Sequence, residues 1–286
     1  MKWTPRGRSA NLDDLRGSSA GGFGGALPKM GIGGFIVLLL LSFIFKRDFF
    51  SMAGGAGDPT AGRTAPQQAP VPTSPEEEKL IQYVSFVLDD TQETWSKIFA
   101  NEGQTYQPAR LAIFTDAVRS GCGVAQTAMG PFYCPPDQEV YIDLGFYNEL
   151  RQRFGAPGDF AQAYVIAHEI GHHVQHQLGI SDQVRQAQER DPDRANELSV
   201  RQELQADCLA GVWAHSTSQR DILDPGDVEE ALGAAAAVGD DRIQRQATGE
   251  IQRETWTHGS SEQRMHWFQN GFQTGEIDRC DTFAAR

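Results

Sequence analysis

The stretch AHEIGHHVQHQLG, residues 167–179, holds four of the chain's seven histidines and one glutamate within thirteen positions. Its apolar residues continue a pattern that begins upstream. In this pattern, successive apolar residues are always three or four positions apart. The members of this pattern are Phe160, Tyr164, Ala167, Gly171, Val174 and Leu178. Such spacing predicts an amphipathic helix over residues 159–178 with a narrow apolar face, and Gly179 is well placed to end it.

His168 and His172 lie four residues apart on the flank of that apolar face. Two imidazoles one helical turn apart can bind a single tetrahedral zinc ion, and Glu169 then lies close enough to contact an attacking water molecule. The arrangement is the HExxH motif, with His168 and His172 as metal ligands and Glu169 as the general base. We expect His173 and His176 to be solvated or to lie around the ligands, because a straight helix cannot wrap a third ligand around the same ion.

A zinc site needs at least one further protein ligand, and the best candidate lies downstream. Glu203 and Asp207 are one turn apart on a helix predicted over residues 193–217. We expect Glu203 to complete a site for one zinc ion per chain, and Asp207 to accept a hydrogen bond from a ligating imidazole. Gln175 and Leu178 occupy the positions where a metzincin would have glycine and histidine, which excludes that class.

His258 precedes a predicted helix whose capping box is formed by Ser260 and Gln263. We predict that His258 donates a hydrogen bond to the oxyanion that develops during hydrolysis, although a role as a loop or capping residue is an alternative. We expect His215 and His266 to be structural or surface residues.

The remaining pattern predicts a mainly α fold (α+β) with a small β element. A helix should run from near Ser74 through Phe99, and the β-rich runs at 110–115 and 139–144 should form a small sheet. Further helices are predicted over residues 145–154, 226–238 and 261–274.

The N-terminal part predicts a membrane anchor. Residues 30–45 form a sixteen-residue run without a charged side chain. We predict a flexible cytoplasmic tail over 1–29, a transmembrane helix over 30–46 in contact with the lipid bilayer, a Gly/Ala/Pro-rich linker over 47–75 and a catalytic domain over 76–286. A cleaved signal peptide and a buried core helix are the alternatives. Basic residues before the run favour a cytoplasmic N-terminus and an extracytoplasmic (periplasmic) domain at the bacterial cell membrane.

Charge and cysteine content constrain the partners and the compartment. The net charge is −13, and because residues 1–50 carry seven basic and three acidic residues, the catalytic domain is more acidic than the whole. Such a domain repels phosphate backbones, so we expect no nucleic-acid partner. The four cysteines favour two disulfides, Cys122–Cys134 and Cys208–Cys280, while two other pairings and free thiols remain open.

The motif His168-Glu169-Ile170-Gly171-His172 followed by Glu203-Leu-Gln-Ala-Asp207 resembles the gluzincin plan. The whole chain, from MKWTPRGRSANLDDLRG at residues 1–17 to HGSSEQRMHWFQNGF at residues 258–272, resembles the bacterial family of putative neutral zinc metallopeptidases. This resemblance implies a gluzincin-like domain, a membrane anchor and a zinc-dependent hydrolase, but no particular substrate.

We therefore expect a zinc endopeptidase that hydrolyses peptide bonds of envelope proteins or peptides. One alternative is a zinc-stabilised binding module that cuts nothing, and another is a zinc amidase acting on cell-wall material. Glu169 favours an enzyme, because a structural zinc site needs no general base and prefers four closed ligands.

Overall fold

The computed structural model describes residues 1–17, 72–152 and 158–284. Met1–Arg16 and Thr73–Arg286 belong to one compact unit, and Gly17–Pro72 to a second, of which only the two end residues are described. The predicted transmembrane segment 30–46 and nearly all of the predicted linker lie outside the described residues. Within the described ranges, no helix is both long and apolar enough to cross a bilayer.

Eight α-helices make up most of the described chain, and we number them in chain order. They are α1 (Pro75–Asn101), α2 (Phe146–Gln152), α3 (Asp159–Gln177), α4 (Ile180–Arg190), α5 (Ala195–Gln219), α6 (Asp227–Ala237), α7 (Asp240–Thr248) and α8 (Ser261–Thr274). Short 3₁₀ turns occur at Thr127–Met129, Pro192–Arg194, Arg253–Thr255 and Ile277–Cys280. The five predicted helices that begin near residues 75, 159, 193, 226 and 261 are confirmed to within two residues at each end, whereas α4 and α7 were not predicted.

Six strands accompany the helices in the described ranges. They are β1 (Leu12–Asp14), β2 (Arg110–Phe114), β3 (Ala117–Ser120), β4 (Gly123–Gln126), β5 (Phe132–Cys134) and β6 (Glu139–Asp143). One sheet has the order β1-β2-β6-β5, in which only the β5–β6 pair is antiparallel. The hairpin β3-β4 forms a separate two-stranded sheet. The prediction of a small β element in a mainly helical fold is therefore confirmed.

Helix α3 lies in the centre of the hydrophobic core. Besides the predicted apolar positions, Val165, Ile166 and Ile170 are buried, so the helix is covered on more sides than a narrow apolar face implies. The Phe160 ring stacks on that of Trp213 of α5 at a centroid distance of 5.5 Å. Burial on several sides holds α3 rigidly, which suits a helix that carries the predicted ligands His168 and His172.

The prediction of a flexible tail over residues 1–29 is wrong for residues 1–17. β1 pairs in parallel with β2, with Leu12 opposite Leu111 and Asp14 opposite Ile113. The ring of Trp3 packs edge-on against Tyr83 of α1 at a centroid distance of 5.3 Å. The physical reason is that backbone pairing and aromatic packing compensate for the weak apolar pattern of this segment.

This strand pairing also bears on the predicted topology. A single membrane crossing between residues 17 and 72 would place β1 and β2 on opposite sides of the bilayer, whereas hydrogen-bonded strands must lie on the same side. A cytoplasmic N-terminal tail and an extracytoplasmic domain therefore do not both fit this pairing if residues 30–46 cross the membrane once, and the compartment of each part stays a prediction. Membrane contact by residues 30–46 stays a prediction.

Both predicted disulfides are present. Cys122 is bonded to Cys134, joining the β3-β4 hairpin to the end of β5. Cys208 of α5 is bonded to Cys280 in the segment that follows α8. No cysteine is left free, which rules out the alternative of free thiols.

Candidate metal centre

Three predicted ligands from two helices meet at one point. His168 and His172 project from α3 and Glu203 from α5, and their ligand atoms all lie within 4.8 Å of one another. The His168 Nε2 atom is 3.2 Å from Glu203 Oε2, and the His172 Nε2 atom is 3.3 Å from Glu203 Oε1. The predicted three-ligand set is therefore assembled in space.

These distances fit a tetrahedral zinc ion. Two donor atoms that each lie about 2.0–2.1 Å from zinc at a tetrahedral angle are separated by about 3.3 Å. The imidazole–carboxylate separations of 3.2 and 3.3 Å are each close to that value, and each imidazole faces a different oxygen of the Glu203 carboxylate. Two imidazoles and one carboxylate are also the ligand types of catalytic zinc sites, which keep one coordination position for water or substrate.

Gly171, within the motif, allows the two helices to approach closely enough for these contacts. A Cβ atom at this position would lie 3.0 Å from the carbonyl oxygen of Ala206 and 3.2 Å from its Cα. Ala206 sits between Glu203 and Asp207 on α5. A larger residue at 171 would push α5 away and separate Glu203 from the two imidazoles.

Each of the two candidate ligand imidazoles has a partner for its outer nitrogen. His168 Nδ1 lies 2.9 Å from Asp207 Oδ1, as predicted, and His172 Nδ1 lies 2.8 Å from Gln175 Oε1. An acceptor at Nδ1 holds the hydrogen there and leaves Nε2 free to bind metal. Gln175 was not predicted to have this role, although its position three residues after His172 on one helix provides a signal.

Asp207 is also the centre of a buried ionic network that the sequence did not reveal. Its Oδ2 accepts a hydrogen bond from Arg264 Nε at 2.8 Å, and its Oδ1 accepts one from Arg264 Nη2 at 2.9 Å. The hydroxyl of Tyr164 donates to the same carboxylate. Asp207 is fully buried and Arg264 is 3% exposed, so each charge depends on the other for compensation.

The charges in this centre shift the protonation equilibria. Burial alone would raise the pKa of Asp207, but the Arg264 charge and the His168 contact outweigh it, and the pKa is lowered. Burial would lower the pKa of His168, but the charge of Asp207 and hydrogen bonds to Asp207 and Glu203 raise it to about 10. Glu203, between two imidazoles, has a pKa well below its ordinary value despite its burial. Zinc binding must therefore displace protons from the histidines.

Glu169 lies in the same cleft as the ligands and is 8% exposed. The cleft has a volume of about 600 Å³. His168, His172, Glu203, His258 and Arg264 contribute to its wall. The cleft therefore brings every predicted metal ligand and both predicted catalytic residues to one surface.

The other histidines separate into distinct environments. His173 is fully buried, and its ring nitrogens contact the Tyr133 hydroxyl at 2.9 Å and the Gln107 carbonyl at 2.7 Å. The prediction that His173 is solvated or near the ligands is therefore wrong, because it anchors α3 to the β5 side of the fold. His176 is partly buried and lies beside the Tyr133 ring. His215 contacts the carbonyl of Phe272, and His266 is exposed, as predicted.

A second group of acids also places oxygen atoms close together. Asp159, Asp227 and Glu230 have ligand atoms within 4.8 Å of one another. The Met1 amino nitrogen lies 3.0 Å from Asp159 and 3.3 Å from Asp227. These carboxylates therefore already face a cation in this structure.

Comparison with known proteins identifies related chains. The family model described as "Putative neutral zinc metallopeptidase" matches residues 1–283. The protein YpfJ of Escherichia coli K12 is 46% identical over 290 aligned positions, which cover 99% of each chain.

Mycobacterial relatives match a shorter part of the chain. Mb2605 of Mycobacterium bovis and Rv2575 of Mycobacterium tuberculosis are each 48% identical over 191 residues, covering 63% of this chain and 64% of the relative. No solved structure matches. The names of these relatives state no activity, so the comparisons support family membership and not a particular reaction.

Proposed function

Because the chain belongs to the putative neutral zinc metallopeptidase family, we propose that it is a zinc-dependent endopeptidase that cleaves peptides or proteins of the bacterial envelope. The observation that carries this proposal is the convergence of His168, His172 and Glu203, whose ligand atoms lie within 4.8 Å of one another, with Glu169 in the same cleft. A structural zinc site would not need this additional carboxylate.

The chain's own residues have distinct roles in this reaction. When bound by His168, His172 and Glu203, zinc supplies Lewis acidity that polarises a carbonyl group and makes water a stronger acid. Glu169 accepts a proton from the attacking water and passes it to the nitrogen of the leaving amine. Such proton transfer contributes about 10²–10⁴-fold in rate.

We assign the oxyanion contact to His258. Its ring lines the cleft together with the three ligands, and its side chain is half exposed. A hydrogen bond from this ring to the carbonyl oxygen of the scissile bond becomes stronger as negative charge develops there.

The cleft suits a peptide better than a small polar substrate. A large part of its lining is apolar, including Met129, Pro131, Phe132, Phe146, Val165 and Ile243. Apolar walls with a few convergent polar groups bind side chains by burial and leave the polar groups to orient the scissile bond.

We further propose that the folded unit works outside the cytoplasm. Two disulfides in a chain with no free cysteine support an oxidising compartment. Because residues 1–16 belong to the same compact unit, this proposal places them on the same side as the ligands.

The test uses the full-length, zinc-loaded chain and a mixed peptide library read by mass spectrometry. We expect the parent to produce cleavage products and Glu169→Gln to bind zinc but produce none. Glu262→Gln, the same substitution at an exposed acid outside the cleft, is the matched control and should cleave like the parent.

Two results would contradict the proposal. Full cleavage by Glu169→Gln would refute the assigned general base. A zinc-loaded parent that leaves peptides and denatured envelope proteins uncut would refute the peptidase function and favour a binding module or a non-peptide amidase.

A further inference from the structure

Asp240, the first residue of α7, holds the segment that carries His258. Its Oδ2 atom accepts hydrogen bonds from the backbone N–H groups of Thr257, His258 and Gly259 at 2.8, 2.7 and 3.0 Å. The backbone N–H of Asp240 donates in return to the Gly259 carbonyl at 2.8 Å. One largely buried carboxylate oxygen thus fixes three successive residues beside the cleft.

The second carboxylate oxygen faces the imidazole itself. Asp240 Oδ1 lies 3.2 Å from His258 Nδ1, and the hydroxyl of Thr257 lies 3.0 Å from the same nitrogen. An acceptor at Nδ1 sets the orientation of the ring. The Nε2 atom, on the opposite edge, makes no hydrogen bond to any residue in the described ranges, and the ring lines the cleft.

We infer that Asp240 is a positioning residue, which orients His258 so that its Nε2–H group can donate a hydrogen bond to the carbonyl oxygen of a bound peptide. This inference rests on the proposed function and deepens it. Asp240 itself does not line the cleft and therefore acts only through His258.

The same contact makes the hydrogen bond dependent on pH. With Nδ1–H donated to Asp240, Nε2 carries a hydrogen only when the ring is protonated. Three charged groups face this ring: Asp240 on α7, Glu203 on α5 and Arg264 on α8. Partial burial and Arg264 would lower the pKa of His258, but Asp240 and Glu203 raise it above its ordinary value of 6.5. The donor is present below this pKa and is lost as the pH rises through it.

The Asp240 carboxylate has two roles: it holds the backbone N–H groups of the segment, and it pairs with His258 Nδ1. Replacing Asp240 by asparagine separates these roles. The amide oxygen can still accept from the backbone N–H groups, while the NH₂ group then faces His258 Nδ1. The neutral ring then keeps its hydrogen on Nε2, so the donor no longer depends on protonation and the alkaline decline in kcat should disappear. Because the ring is then neutral and less firmly held, we expect kcat to fall about tenfold or more while KM changes less than twofold.

The experiment compares the full-length, zinc-loaded parent with Asp240→Asn, His258→Gln and the double variant. Kinetics on a peptide identified in the library give kcat, KM and their pH profiles. NMR of ¹⁵N-histidine-labelled protein gives the tautomer and pKa of His258, whose signal is assigned by its loss in His258→Gln. Glu262→Gln, at an exposed acid outside the cleft, should leave kcat within twofold of the parent.

The expected result is that Asp240→Asn lowers the pKa of His258 and slows the parent, yet does not slow the His258→Gln variant further. An equal slowing in both backgrounds, or a pKa and tautomer of His258 that do not change, would overturn the inference. If the NMR change occurs but no variant cleaves any peptide, the proposed function fails while the Asp240–His258 pairing stands, so the two failures are distinguishable.

Discussion

Removing the charge of Asp207 should strongly destabilise the fold. In Asp207→Asn, Arg264 keeps its buried positive charge but loses the only carboxylate among the described residues that bonds it directly; Glu203 is the next nearest of them, at 3.9 Å. Breaking a buried ion pair by removing one partner costs about 3–5 kcal/mol. The lost His168 contact should also weaken zinc affinity, by about 10–100-fold.

The assay is urea unfolding of the metal-free, full-length chain, followed by circular dichroism. We expect Asp207→Asn to lower the free energy of unfolding by about 3–5 kcal/mol relative to the parent. The variant Asp207→Asn/Arg264→Met removes the unpaired charge as well and should recover at least about 2 kcal/mol of that loss. Glu262→Gln is the control and should remain within about 0.5 kcal/mol of the parent.

Two results would refute this reasoning. A loss below about 1 kcal/mol in Asp207→Asn would show that the buried charge of Arg264 does not depend on Asp207 for compensation. A double variant that is less stable than Asp207→Asn alone would show that Arg264 stabilises the fold independently of Asp207.

Three further predictions concern other parts of the fold. Trp3→Ala should lower the free energy of unfolding by about 2 kcal/mol because residues 1–16 pack on the domain, whereas a flexible tail would give no change in urea unfolding. Burial lowers the pKa of His173 to about 4 in the folded chain, whereas in the unfolded chain the pKa keeps its ordinary value of 6.5. Below pH 6.5 the unfolded chain therefore binds a proton at this residue that the folded chain does not bind. Between pH 7 and pH 4.5 the parent should therefore lose about 2.5 kcal/mol more stability than His173→Gln; equal losses in urea unfolding would contradict this. Replacing Cys208 and Cys280 by serine opens a loop whose ends are 72 residues apart and should cost about 4 kcal/mol, while an unchanged midpoint of thermal unfolding would disprove that contribution.

The convergence of the candidate ligands could be predicted in part because their sequence pattern is local. His168 and His172 repeat at one helical turn, and Glu203 and Asp207 do the same on another helix, so each pair lies on one face of its helix. The sequence alone does not show that these two helices pack against each other. Gly171 allows them to approach closely.

Arg264 and Asp240 could not be predicted because their partners are distant in sequence. Arg264 lies 57 residues from Asp207, in a segment whose clearest local signal is the capping box that begins at Ser260. Asp240 lies 18 residues from His258 and looks like an ordinary acid in the first turn of a helix. A contact between two residues that are far apart in sequence leaves no periodic pattern in the sequence, so only the fold reveals it.

The N-terminal strand was missed for a related reason. β1 has three residues, Leu12, Asp13 and Asp14, and two of them are acids, which are depleted in strands. Its stability comes from pairing with β2 and from ion pairs such as Arg110–Asp13, which are long-range contacts. Helix α7 was missed because Ile243 is the only large apolar residue among its nine.

The most direct test of the account is zinc binding at the predicted ligands. The measurement is a competitive titration of the full-length chain with a chromophoric zinc chelator, with the parent, Glu203→Gln and Glu169→Gln compared at pH 7.5. The account predicts one zinc per chain in the parent, a similar affinity in Glu169→Gln and an affinity at least about 100-fold weaker in Glu203→Gln, which loses a charged ligand. A parent that binds no zinc, or a Glu203→Gln variant that binds it as tightly as the parent, would contradict the account.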